Sequence, residues 1–160
     1  MFMSTRELLR KSMTDAMRSG DTLSRDVLRM VEGVIRNKEI ELRSQKKEIT
    51  EDDLVHILSS QIKQRRESSR QYLEGGRSDL SERENQEADI LEQFLPKKVS
   101  SEELESIVRT TIEMLGARSV SDMGKVIGAS LLEAKKVGFV EGNDIREMAV
   151  KLLSAGASKI

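Results

Sequence analysis

A single proline, Pro96, stands in a chain of 160 residues. Proline removes a backbone N–H and pushes the preceding residue out of α geometry, so a helix arriving here must end near Leu95. The apolar cluster Ile90, Leu91, Phe94 and Leu95 comes before it, and Ser100-Ser101-Glu102-Glu103 comes after. Serine followed by glutamate starts a helix, because the side chains satisfy first-turn N–H groups that have no partner. Long, highly charged helical patterns precede this joint, and shorter ones divided by glycine follow it. Pro96 is therefore expected to be a hinge between modules at 1–95 and 96–160. Limited proteolysis is expected to cut first within 96–101.

Apolar residues recur at steps of three and four, and strand-like alternation is lacking, so the fold is expected to be all-α. The N-terminal module reads as a helical hairpin module and the C-terminal one as a three-helix module. Helices are expected over about 5–18, 22–45, 51–73 and from Ser78 or Leu80 to 95, then after Ser100 or Ser101, after Ser119 or Ser121, and from Asn143 or Asp144. Thr50-Glu51-Asp52-Asp53 is a capping-box pattern, and Ser4 or Thr5 is a good first cap, which makes Met3 an alternative start. In the fifth helix Leu104, Ile107, Val108, Thr111, Ile112 and Leu115 share one face. Residues 54–77 carry five basic and two acidic side chains, whereas 78–95 carry one basic and six acidic. A Gly75-Gly76 turn joins these helices, so they should pair antiparallel with opposite charges facing.

Charged residues make up 34% of the chain but cancel to −1, so any nucleic-acid site must be a local patch. Cysteine is absent, which removes disulfides, thiolate ligands and cysteine nucleophiles and suits a reducing cytosol. No apolar run approaches a membrane span and the first residues contain no apolar leader core, so a cytoplasmic protein is expected, away from membranes. No phosphate-binding glycine loop, metalloprotease helix or nucleophile elbow occurs, and no cofactor, metal or catalytic residue is expected. The acidic clusters at helix starts serve the helix dipole. The lone histidine, His56, falls about 200° round its helix from Leu54, on the solvent side.

Two features remain as candidate sites. Lys63, Arg65, Arg66 and Arg70 lie on the third helix, and Arg36, Lys38, Arg43, Lys46 and Lys47 lie late on the second. Such rows can meet phosphates or can be ordinary solvated faces. In the sixth helix Gly124 and Gly128 stand four apart beside Lys125. Interior glycine costs about 1 kcal/mol against alanine. The smooth strip serves either close helix packing or the approach of another backbone, including that of RNA.

The runs A-D-I-L-E-Q-F-L-P, S-S-E-E-L and D-M-G-K-V-I-G, with L-S-R-D-V-L-R-M-V and K-Q-R-R-E-S upstream, resemble the YqeY-like family over nearly the whole chain. The family's C-terminal module is similar to the tail of the B subunit of the glutamyl/aspartyl-tRNA amidotransferase, a helical appendage that holds tRNA. The resemblance implies a tRNA-binding or amidotransferase-associated accessory protein, linked at family level to carbon–nitrogen ligase activity with glutamine as amido donor. tRNA is the implied partner, and Gly124, Lys125 and Gly128 the implied contact. The rival class is a protein–protein adaptor. The oligomeric state is open. Phe139 departs from the family, where a basic residue is frequent.

Overall fold

The computed structural model describes residues 3–157; Met1, Phe2 and residues 158–160 lie outside it. Among the described residues there are seven α-helices and one 3₁₀ turn, and the fold class is all-α. The chain divides into two compact units, Met1–Leu95 and Pro96–Ile160.

The first unit holds α1 (Thr5–Ser19), α2 (Thr22–Ser44), α3 (Glu51–Glu74) and α4 (Ser78–Glu92). Their starts follow from short polar side chains. The Glu7 N–H donates to Ser4 Oγ at 3.2 Å, while the Ser4 N–H donates to the Glu7 carboxylate at 2.9 Å. Thr50 and Asp53 repeat this reciprocal cap at α3. Behind the caps, Val27, Leu28, Val31 and Ile35 of α2 pack on Leu54, Leu58 and Ile62 of α3 and on Ala88 and Leu91 of α4. Each large side chain so buried stabilises the unit by roughly 1.5–3 kcal/mol. Gly76, at φ +75°, turns the chain from α3 into α4 in the left-handed region that glycine enters without strain. The two helices then meet closely: the Ser69 and Ser81 hydroxyls share a buried 2.8 Å hydrogen bond. The expected charge pairing is present in Arg65–Glu87 at 3.2 Å and Arg66–Asp89 at 2.6 Å. α4 stops at Glu92, earlier than expected, because the Phe94 and Leu95 N–H groups already bond to carbonyls three residues back.

The second unit holds α5 (Ser101–Leu115), a 3₁₀ turn (Val120–Asp122), α6 (Met123–Val137) and α7 (Gly142–Ala157). Ser100 caps α5 in a box with Glu103. Val99, Leu104, Val108, Val126, Ala134, Ile145, Ala149 and Leu153 form the core. Three expectations need correction. Leu115, placed on the core face, is 48% exposed, because it sits in the last turn of α5 beyond the packed stripe. α7 begins at Gly142, not at Asn143 or Asp144: the Asp144 and Ile145 N–H groups bond to Glu141 O, and Asp144 instead pairs with Lys98 at 3.0 Å. The segment just after Pro96 is not loose. The Val99 N–H donates to Phe139 O at 2.8 Å and the Phe139 N–H donates to Lys97 O at 2.9 Å, with Val99 buried. The Lys97–Val99 segment passes so close to Gly138 that a Cβ there would meet Lys97 O at 2.3 Å.

Candidate functional site

α6 presents its buried side through Val126, Ser130 and Ala134. At 100° per residue the opposite side carries Gly128, Leu132 and Lys125, with Gly124 at its margin. Gly124, Lys125 and Gly128 are all exposed. A Cβ added at Gly124 or Gly128 would meet nothing within 4 Å. Close helix packing inside the unit, one of the two explanations for these glycines, therefore does not apply. α6 starts at Met123, so Gly124 lies in its first turn and only Gly128 bears the interior cost; that cost has no internal return, and the strip the two leave is open to solvent. Lys125 makes no ion pair among the described residues. Leu132 is 67% exposed on the same ridge, a residue the sequence reading did not single out. The signal was available, since Leu132 lies two positions from both Ser130 and Ala134 and thus about 200° away from each.

The loop before α6 is held by one carboxylate. Asp122 accepts the Arg118 N–H at 3.0 Å and the Ser119 N–H at 3.4 Å, which fixes the entry angle of the helix. α6 carries Lys125, Lys135 and Lys136 against Glu133 alone, whereas α5 carries four glutamates against Arg109. The outer side of α6 is the cationic helix surface of this unit. Lys136 is held by Glu133 at 2.9 Å, and Lys125 stands next to Gly124 at the glycine strip.

The α3 cations are placed differently. Arg65 is 5% exposed; it donates to Glu87 and to Gln61, and it cannot meet a phosphate while the unit is folded. Its removal from the candidate site is a correction: helical steps 58, 62, 65 and 69 carry it into the buried stripe. Arg66 is half-exposed but donates to Asn85, Asp89 and Glu92, and the Asp89 hydrogen bond raises its already high pKa. Arg70 donates twice to Glu67, which draws the Glu67 carboxyl below its usual range. Lys63 is exposed. Two of the four, Arg65 and Arg66, thus join α3 to α4, and Arg70 pairs within α3. His56 is exposed, as its spacing predicts. Among the described residues no three His, Asp or Glu side chains lie close enough to hold a metal ion, and no helix is long and apolar enough to cross a membrane.

Residues 6–153 match the family described as Yqey-like protein. The chain belongs to the YqeY-like family. The match runs through both units and includes α6 whole. The altered inheritance of mitochondria protein 41 of Lachancea thermotolerans is 37% identical over 87 residues, or 54% of this chain and 46% of that protein. The protein of the same name from Saccharomyces cerevisiae is 32% identical over 98 residues, or 61% and 52%. An uncharacterized protein of Schizosaccharomyces pombe is 30% identical over 94 residues, or 59% and 74%. The chain spans about half the length of the first two of these relatives.

A groove of about 530 Å³ in the second unit is lined by Lys98, Ser100, Leu104, Asp144, Met148 and Lys151. Two groups of its lining are already engaged. Lys98 pairs with Asp144, whose hydrogen bond raises the lysine pKa, and the Ser100 hydroxyl accepts the Glu103 N–H. Neither is set up as a nucleophile with a base.

Proposed function

We propose that this YqeY-like chain is an RNA-binding accessory protein that docks tRNA on the outer side of α6. One observation carries the reading: Gly128 inside α6 and Gly124 in its first turn are open to solvent beside Lys125, which makes no ion pair among the described residues. A bare strip of backbone lets a phosphodiester chain approach, and Lys125 supplies the charge that meets it. The resemblance of this module to the tRNA-holding tail of an amidotransferase subunit supports the choice of tRNA. The link to glutamine-dependent amide transfer is then one of association, and the chain alone is expected to turn over no glutamine. The second reading, a protein adaptor, is favoured by Leu132, whose exposed side chain would suit a partner helix.

Two substitutions separate the readings. Gly128→Leu adds bulk where nothing is displaced inside the fold, so the protein should melt no earlier while tRNA binding is lost. Lys125→Ala should weaken tRNA binding and lower the slope of log affinity against log salt by about one contact. If both variants bind tRNA like the wild type, α6 does not face RNA. If Gly128→Leu instead abolishes a salt-insensitive protein complex, the adaptor reading replaces it.

A further inference from the structure

The α1–α2 seam carries a second set of cations that α6 does not involve. Arg6 and Arg10 come from α1, and Arg29, Arg36 and Arg43 from α2. Positions 29, 36 and 43 are seven apart, so each step turns the helix by about 20° and all three share one side. The row spans about 21 Å at 1.5 Å per residue, with an arginine every ~10 Å. All three are exposed, and Gly33, between the first two, is exposed with nothing within 4 Å of an added Cβ.

Two carboxylates line the seam, and Arg6 takes both. It donates to Glu32 at 2.9 Å and twice to Glu39. Arg10 and Arg36 approach the same Glu32 oxygen only at 3.9 and 3.7 Å, beyond hydrogen-bond length, and remain 60% and 72% exposed. Arg29 and Arg43 make no ion pair among the described residues; the neighbouring Asp26 is held by Arg25 at 2.8 Å. The Arg6 hydrogen bond lowers the Glu39 pKa, and Arg10 and Arg43 lower it further, which places these cations around one carboxyl. Five guanidiniums against two carboxylates leave the seam at +3, with the surplus on the outside.

We propose that Arg10, Arg29, Arg36 and Arg43 form a second contact surface for an RNA backbone along the α1–α2 seam. Guanidinium binds phosphate through two parallel N–H donors, and a regular row of them follows a phosphodiester chain. Among the described residues the aromatics Tyr72, Phe94 and Phe139 all lie on other elements, so the contact proposed is to the backbone. The choice of RNA over another polyanion rests on the function proposed above; the placement of the surface does not.

The test uses the full chain and a mixed-sequence RNA duplex of roughly 20 base pairs, with affinity measured by anisotropy between about 50 and 200 mM salt. Arg29→Gln combined with Arg43→Gln removes no intramolecular ion pair, so circular dichroism should be unchanged. Affinity should fall about tenfold or more and the salt slope by about two contacts. Arg29→Lys with Arg43→Lys should keep most of the slope. If the glutamine pair binds RNA like the wild type while Lys125→Ala weakens it, the seam surface is refuted and RNA docking on α6 survives. If the wild type binds no RNA, both fail. If polyglutamate binds as tightly as RNA through these arginines, the seam takes an acidic protein and the RNA assignment is overturned.

Discussion

Replacing Gly138 with alanine should selectively destabilise the second unit. Gly138 has φ 177°, an extended geometry open to any residue, so the cost comes only from contact. Its new Cβ would lie 2.3 Å from Lys97 O, where ordinary contact begins near 3.4 Å, so two backbones must part by about 1 Å. Neither can yield as the end of a flexible side chain would. Overpacking of this kind costs about 1–3 kcal/mol. The separation also strains the two hydrogen bonds joining Val99 and Phe139, worth about 0.5–1.5 kcal/mol each. The total is about 2–6 kcal/mol, and at about 4–8 °C per kcal/mol for a unit of some 60 residues it should lower the melting temperature by at least about 10 °C. Thermal melts followed by circular dichroism, with hydrogen exchange at the Val99 and Phe139 amides, read both effects. Gly128→Ala is the control: with open space around it, alanine should stabilise by about 0.5–1 kcal/mol. If Gly138→Ala melts with the wild type and both amides stay protected, the close approach of these segments is not a feature of the protein.

Two further outcomes concern the first unit. Arg65→Ala should reduce its stability by about 2–3 kcal/mol in urea titrations, because Glu87 is left largely buried with only Arg83 at 3.5 Å to compensate. Acid should loosen α1 from α2: the Arg6 hydrogen bond holds the Glu39 pKa below that of the unfolded chain. The stability it contributes is then complete above the ordinary glutamate value and is lost as pH falls through the lowered one. Urea midpoints measured from pH 6 down to about pH 3 should show this loss, and Glu39→Gln should remove that share of it.

What the sequence revealed and what it hid follow from range. The caps at Ser4, Thr50 and Ser100 act within one turn, and their residues alone specify them. Apolar period and opposite charge were enough to pair α3 with α4, because a short turn leaves those helices few other arrangements. By sequence Arg65 belongs to a cationic row, yet the same period that builds the row carries it beside Ile62 and Ser69 into the interior. The two meanings of the α6 glycines could not be told apart from sequence, since it does not show which side of a helix its neighbours cover. The pairing of Lys97–Val99 with Phe139 joins segments some 40 residues apart and has no local signature beyond Gly138 itself. Arg36 and Arg43 stand in a cationic row legible from the sequence, but the surplus charge of the seam is not, because it depends on Arg6, a residue of another helix, absorbing both seam carboxylates.

The most direct measurement is the affinity of the full wild-type chain for unmodified tRNA across a salt series, repeated with Lys125→Ala. RNA docking on α6 requires log affinity to fall linearly with log salt and the lysine variant to bind more weakly with a slope smaller by about one. Absence of tRNA binding at low salt, or binding that ignores both salt and Lys125, would contradict it.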